Sequence, residues 1–385
     1  MPNNYRADQV GSFLRPAEVL QAHDKQAKGE LGDQHVREIE DTAILQVLDM
    51  QRQAGIDVLS DGELRRSTWA GEFSASVDGY VPGRPAVTVF GGAPAQAASA
   101  PVSGNPPPGR LGSMRVIGEK LRARRRLTAF EAPFMEHHAH GKPFKITMPA
   151  ATYVVARAYN PDITSTAYPT RMDVLRDAAG IIQAEITALV SEGVPYIQLD
   201  NPHYPDYVVD ERREAWREVG IDPDRALLED IEADNLCFRG FDRSKVTLAM
   251  HLCRGNGGRG PHEPAGWHTE GSYERIAEAL FGGLQCDRFL LEYDSARAGG
   301  FEPLRFMPKG KQVVLGLVTT KVGDMETQDD LLRRIDEAAK YVDMADLALS
   351  PQCGFASTAP GNPLTTDQQR RKLELVVDTA RKAWG

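Results

Sequence analysis

The run VTLAMHLCRGN, residues 246–256, carries a histidine and a cysteine two positions apart at the end of an apolar stretch. Side chains alternate between faces in an extended chain, so His251 and Cys253 emerge on the same side of a strand end. An imidazole and a thiol on one side suit zinc, yet a pair is not a site. Other chemistry-bearing residues also follow apolar runs directly: Asp61 and Glu63 in SDGE, Asp200 in LDNPHY, Glu292 in LEYDSARAGG and Cys353 in SPQCGF. His251, Cys253, Glu292 and Cys353 together offer one nitrogen, two sulfurs and a carboxylate oxygen, a plausible tetrahedral zinc set. The bland alternative makes His251 and Cys253 ordinary strand-end residues, Glu292 an ion-pair partner of Arg297 or Arg254, and Cys353 a small buried hydrophobe.

The elements that must position these groups decide between the two. Short β-branched runs alternate with longer stretches of helical periodicity, the pattern of repeated βα units. Candidate strands lie at 7–11, 56–60, 144–148, 195–199, 245–252, 288–292, 313–317 and 347–350. Helical stretches include 36–55, 174–193 and 331–345, the first two ending on glycine. Eight such units favour a closed α/β barrel, the (β/α)8 TIM barrel, in a single domain over residues 1–385. In that fold catalytic groups sit at the C-terminal strand ends, which moves the four residues from bland to metal-binding. Zinc with two thiolates is a poor activator of water but suits a third, substrate-derived thiolate, because a coordinated thiol is deprotonated. The implied reaction is attack of a substrate thiol on an electrophilic carbon.

The chain has 385 residues, 41% of them hydrophobic, enough for a large core. Its first residues lack a basic region leading into an apolar core, and no apolar run is long enough to span a bilayer, so a cytoplasmic protein without membrane partners is expected. The four cysteines are scattered, which favours free thiols or ligands over disulfides; Cys237 and Cys286 follow no strand and are assigned to packing. A net charge of -9 argues against a nucleic-acid partner, and the basic run RARRR (122–126) reads as a solvated helix face. Residues 81–113, rich in Pro, Gly, Ala and Ser, read as a long excursion after the second strand, a surface loop in preference to a lid.

The ordered set VGSFLRP, DGELRR, IQLD, HLCRGN, LLEYD and LSPQCGFAS resembles the cobalamin-independent methionine synthase family, in its short single-barrel branch similar to the catalytic C-terminal half. The resemblance covers nearly the whole chain. It implies a (β/α)8 barrel, Zn2+ held by His251, Cys253, Glu292 and Cys353, and methyl transfer to homocysteine to give methionine. It also implies a carboxylate-holding segment at Gly11 and Ser12, and carboxylates Glu63 and Asp200 gripping the substrate ammonium. Implied partners are a homocysteine-like thiol and an alkyl donor, methyltetrahydrofolate or another carrier. The sequence departs from the long synthases in having one barrel, in Thr319, Thr320 and Lys321 where they carry a histidine, and in Asn201-Pro202-His203-Tyr204 after IQLD. His203 reads as a loop hydrogen-bonding residue. The competing reaction is the epoxide-opening thiol transfer of relatives that use coenzyme M, whose sulfonate would face Glu63 and Asp200 unfavourably.

Overall fold

The computed structural model describes residues 5–87, 115–255 and 269–385. Six strands, β3 (Lys145–Pro149), β4 (Tyr196–Asp200), β5 (Thr247–Leu252), β6 (Arg288–Glu292), β7 (Gln312–Val318) and β8 (Leu347–Pro351), form one parallel sheet in that order. Every residue of the six is buried, as expected where helices cover one face and side chains fill the other. They answer the expected strands 144–148, 195–199, 245–252, 288–292, 313–317 and 347–350 to within two residues.

The expected strands at 7–11 and 56–60 contribute only single bridges, Ala7 to Leu349 of β8 and Leu59 to Phe144 just before β3. Backbone bonds join them to their neighbours, Leu349 N to Arg6 O and Asp8 N to Leu349 O, Leu59 N to Pro143 O and Lys145 N to Leu59 O, and side chains take up the groups beyond them. Asp57 Oδ2 accepts from Arg6 N at 2.7 Å and Ala7 N at 2.8 Å. Gln51 takes both groups of Ser60, accepting from its N–H at 3.0 Å and donating to its carbonyl at 2.8 Å. Asp57 N donates to Ala7 O, so residues 6–8 and 57–59 link the two edges of the sheet.

The expected helices at 36–55 and 174–193 are Asp33–Ala54 and Arg171–Ser191. The first ends on Gly55 at φ 89°, where a side chain would be strained; the second starts with a Thr170/Asp173 capping box. The stretch 331–345 is shorter than expected, a helix over Gln328–Ala338 followed by a turn at Met344–Asp346.

Two expectations are corrected. RARRR is not on a helix: Arg122 and Ala123 end β2 (Arg115–Ala123), which pairs antiparallel with β1 (Val77–Pro82), and Arg126 binds Glu185 and Glu192. The excursion 81–113 accordingly begins inside β1; residues 88–113 lie outside the described residues.

At the N-terminal ends of the strands the sheet encloses charge. Lys145 Nζ pairs with Asp8 at 2.8 Å and donates to Gln198 Oε1 at 2.8 Å, Tyr196 OH donates to Asp8 at 3.0 Å, and Arg288 stands 3.6 Å from Asp8. Gln198 Nε2 in turn donates to Asp200 Oδ1 at 2.7 Å, at the opposite end of β4.

Candidate metal centre and pocket

His251 and Cys253 leave β5, Glu292 closes β6 and Cys353 follows β8. All four are buried, and their ligand atoms lie within 4.8 Å of one another. Atoms sharing an ion at about 2.0–2.3 Å stand no more than about 4.6 Å apart, so the cluster is close to coordination size. The two sulfurs are 3.4 Å apart. His251 Nδ1 meets Leu290 O at 3.2 Å, which leaves Nε2 buried and without a partner among the described residues. That is the arrangement of a ligating imidazole whose second nitrogen is oriented by a carbonyl.

Glu292 is held on both oxygens. Oε1 accepts from Arg254 N at 2.8 Å; Oε2 accepts from Arg297 at 2.9 Å, with Lys321 Nζ at 3.9 Å. Burial pushes this carboxyl up, but Lys321, Arg297 and His251 outweigh it and hold Glu292 below its ordinary value. The ion pair with Arg297 thus coexists with the cluster rather than replacing it. The hydrogen bond from Cys253 and the nearness of His251 more than offset burial and lower the Cys353 thiol to about 5. Cys253, as donor to Cys353 and buried, is pushed up. Burial would lower His251, yet Cys353, Asp200 and Glu292 raise it to about 9.

A small cavity of about 20 Å³ opens beside the cluster. His251, Cys253 and Cys353 line it together with Val10, Ser12, Glu63, Asp200 and three residues the sequence reading passed over, Trp69, Gly354 and Ser357. Burial raises Asp200 to about 7 and raises Glu63 despite Arg66 and the hydrogen bond from Thr147. Thr147 Oγ1 donates to Glu63 Oε1 at 2.7 Å, whereas Oε2 is buried with no partner among the described residues. Gly11 backs this carboxylate: a Cβ there would stand 2.6 Å from Oε1. Trp69 packs on Tyr153 at 4.7 Å between ring centroids. Nothing in the types or spacing around Trp69 marks it, since the loop doubles back onto the Cys353 segment through Thr68 and Thr358, far apart in sequence.

His203 lies elsewhere. Fully buried, its ring nitrogens face Asp206 and Asp230 at 3.2 Å each and it stacks on Trp216, in keeping with the hydrogen-bonding role in the loop expected of it. Cys237 and Cys286 are buried free thiols.

A parallel α/β fold with a candidate metal-binding cluster of thiols, imidazole and carboxylate at its strand ends places the chain in the class of α/β catalytic domains. Within that class the comparisons are specific. Residues 6–93 match the family model described as the catalytic domain of cobalamin-independent synthase. The Bacillus subtilis protein YxjH, itself uncharacterised, is 36% identical over 99% of this chain and 95% of its own length. A methionine synthase of Pyrococcus abyssi is 24% identical over 90% of this chain and 85% of its own. Among solved structures, a Listeria monocytogenes protein provisionally assigned as a vitamin-B12-independent methionine synthase superposes with a TM-score of 0.75 at 26% identity, covering 100% of this chain and 99% of that one. The chain belongs to the cobalamin-independent methionine-synthase-like family.

Proposed function

We propose that the protein is a zinc-dependent S-methyltransferase that methylates an amino-acid thiol, homocysteine, to give methionine. Its scaffold is a single-domain (β/α)8 barrel. In support, residues 5–10, Val58 and strands β4 to β8 all contribute to one interior apolar cluster, as the staves of a closed barrel would. His251, Cys253, Glu292 and Cys353 are its metal ligands. Zinc held there would keep the sulfur of a bound thiol deprotonated at neutral pH.

The observation that carries the substrate reading is the cavity's composition: thiols and imidazole together with two buried carboxylates, Glu63 and Asp200. A buried carboxylate is stabilised by a cation, and Glu63 Oε2 lacks any donor among the described residues. The ammonium of an amino-acid thiol supplies one; a sulfonate thiol supplies repulsion. Gly11 and Ser12 hold the substrate carboxylate, and Trp69 screens the cavity from solvent. The alkyl donor is methyltetrahydrofolate or another methyl carrier. No helix among the described residues is long and apolar enough to cross a membrane, and we assign the protein to the cytoplasm.

Calorimetry with homocysteine and coenzyme M tests this on wild type, Glu63→Gln and Asp200→Asn. Each variant should weaken homocysteine by roughly tenfold to a hundredfold, about 1–3 kcal/mol for a charge-assisted hydrogen bond. Neither should weaken coenzyme M. Wild type that takes up coenzyme M and ignores homocysteine would overturn the reading in favour of epoxide-opening thiol transfer.

A further inference from the structure

Seven of the ten cavity-lining residues lie on three segments that are distant in sequence: residues 10–12, the loop carrying Glu63 and Trp69, and the loop carrying Cys353, Gly354 and Ser357. One side chain, three residues beyond the first segment, joins the other two: Arg15, 7% exposed. Its Nη2 donates to Glu63 O at 3.1 Å and its Nε to Arg66 O at 3.1 Å. Its Nη1 donates to Ala356 O at 2.9 Å and Thr358 O at 3.1 Å. Four carbonyls on two loops are thus gathered by one planar fork, a geometry no other side chain can copy.

Its neighbour in the site behaves differently. Arg66 forms a two-point ion pair with Glu131, at 2.9 and 2.6 Å, as a structural pair does. Arg15 has no ion pair among the described residues, so its fork is spent on carbonyl oxygens alone. Glu63, whose carbonyl it binds, has φ 57°, a left-handed conformation that a glutamate adopts only when its surroundings impose it. Phe13 N to Gly62 O, Phe355 N to Ser12 O and the stacked rings of Phe13 and Phe355 run alongside the same junction.

We infer that Arg15 is a positioning residue that locks the Glu63 loop to the loop after Cys353, and through Glu63 sets the cavity's affinity for the ammonium of an amino-acid thiol. The second half rests on the proposed function; the first does not. Arg15 touches no substrate atom in this scheme, and it acts through shape rather than charge. Lysine at this position cannot reach four carbonyls in one plane, so Arg15→Lys should behave like Arg15→Met.

Hydrogen exchange and calorimetry on the full chain, matched for metal content, test both halves. Peptides over 61–70 and 353–362 should exchange faster together in Arg15→Lys and Arg15→Met, with β4 to β6 unchanged. Homocysteine affinity should fall about tenfold or more in the Glu63 background but less than about threefold in Glu63→Gln, the non-additivity of two residues acting as one. Exchange that changes in one loop only, a lysine variant equal to wild type, or equal losses in both backgrounds would overturn the inference. Should the variants not fold, native-state exchange on the unaltered protein decides: the two loops must open with one free energy, and two different values refute the lock. Failure of wild type to bind homocysteine would instead remove the functional reading, while the exchange result still judges the lock.

Discussion

Lys145→Met tests the enclosed charge beneath the pocket. Lys145 and Asp8 are both 0% exposed, and the pair is 2.8 Å long. Removing one partner of such a pair costs about 3–5 kcal/mol, because the other charge stays buried. Asp8 keeps Tyr196 OH at 3.0 Å, Gln9 N at 2.8 Å and Arg288 at 3.6 Å, so the lower end, about 3 kcal/mol, is expected. Burial pushes the Asp8 carboxyl up, and Lys145 with Arg288 more than reverses this, holding it below its ordinary value. A carboxylate lowered in the folded state adds stability above its unfolded value, about 3.9, and loses it as pH falls through the folded one. In Lys145→Met burial is less opposed and the folded value moves up toward or past the unfolded one, so the stability lost through Asp8 on acidification shrinks and the acid limb should flatten. Urea unfolding from pH 3 to 8 reads both quantities. A loss below about 1 kcal/mol at pH 7, or an unchanged acid limb, would refute the assignment of that charge pair as a buried, mutually dependent unit.

The remaining predictions concern the site and one helix start. Purified protein should carry about one zinc per chain by elemental analysis, and Cys253→Ser or Cys353→Ser should lose metal and methyl transfer together; full occupancy with normal turnover in either variant removes that cysteine from the ligand set. Gly354→Ala should abolish thiol binding measured by calorimetry, since a Cβ there collides with Ser12 Oγ; wild-type affinity would show that Ser12 is not needed where it stands. Thr170→Ala should lower stability by about 1 kcal/mol in urea, because the Thr170 Oγ1 bond to Asp173 N, one half of the capping box at Arg171–Ser191, is lost; an unchanged midpoint would mean that solvent replaces it.

What could be read from sequence followed from locality. β3 to β8 announce themselves as apolar runs, and polar residues at or just past the ends of β4, β5, β6 and β8 are the ones that reach the site. That is why His251, Cys253, Glu292 and Cys353 were legible as a set. The antiparallel hairpin was not, because VDGYVP carries an aspartate, a glycine and a proline that read as breakers, and its partner strand lies more than 30 residues on. Ala7 and Leu59 do bridge to Leu349 and Phe144, but each pairing stops at one bridge, and the side chains of Asp57 and Gln51 take neighbouring N–H groups where a longer ladder was expected. Trp69 and Arg15 owe their places to loops that meet only after folding, and no spacing rule encodes that.

The ligand cluster draws on β5, β6 and β8, and β8 takes its outer neighbour from Ala7 near the start of the chain. A chain emerging from the ribosome therefore exposes His251 and Cys253 about a hundred residues before Cys353 is made. Until then it offers an ion at most three of the four ligands. A metal bound at this cluster would be a latecomer to the fold, admitted by a finished scaffold rather than recruited to build one, and truncated or misassembled chains would compete poorly for it.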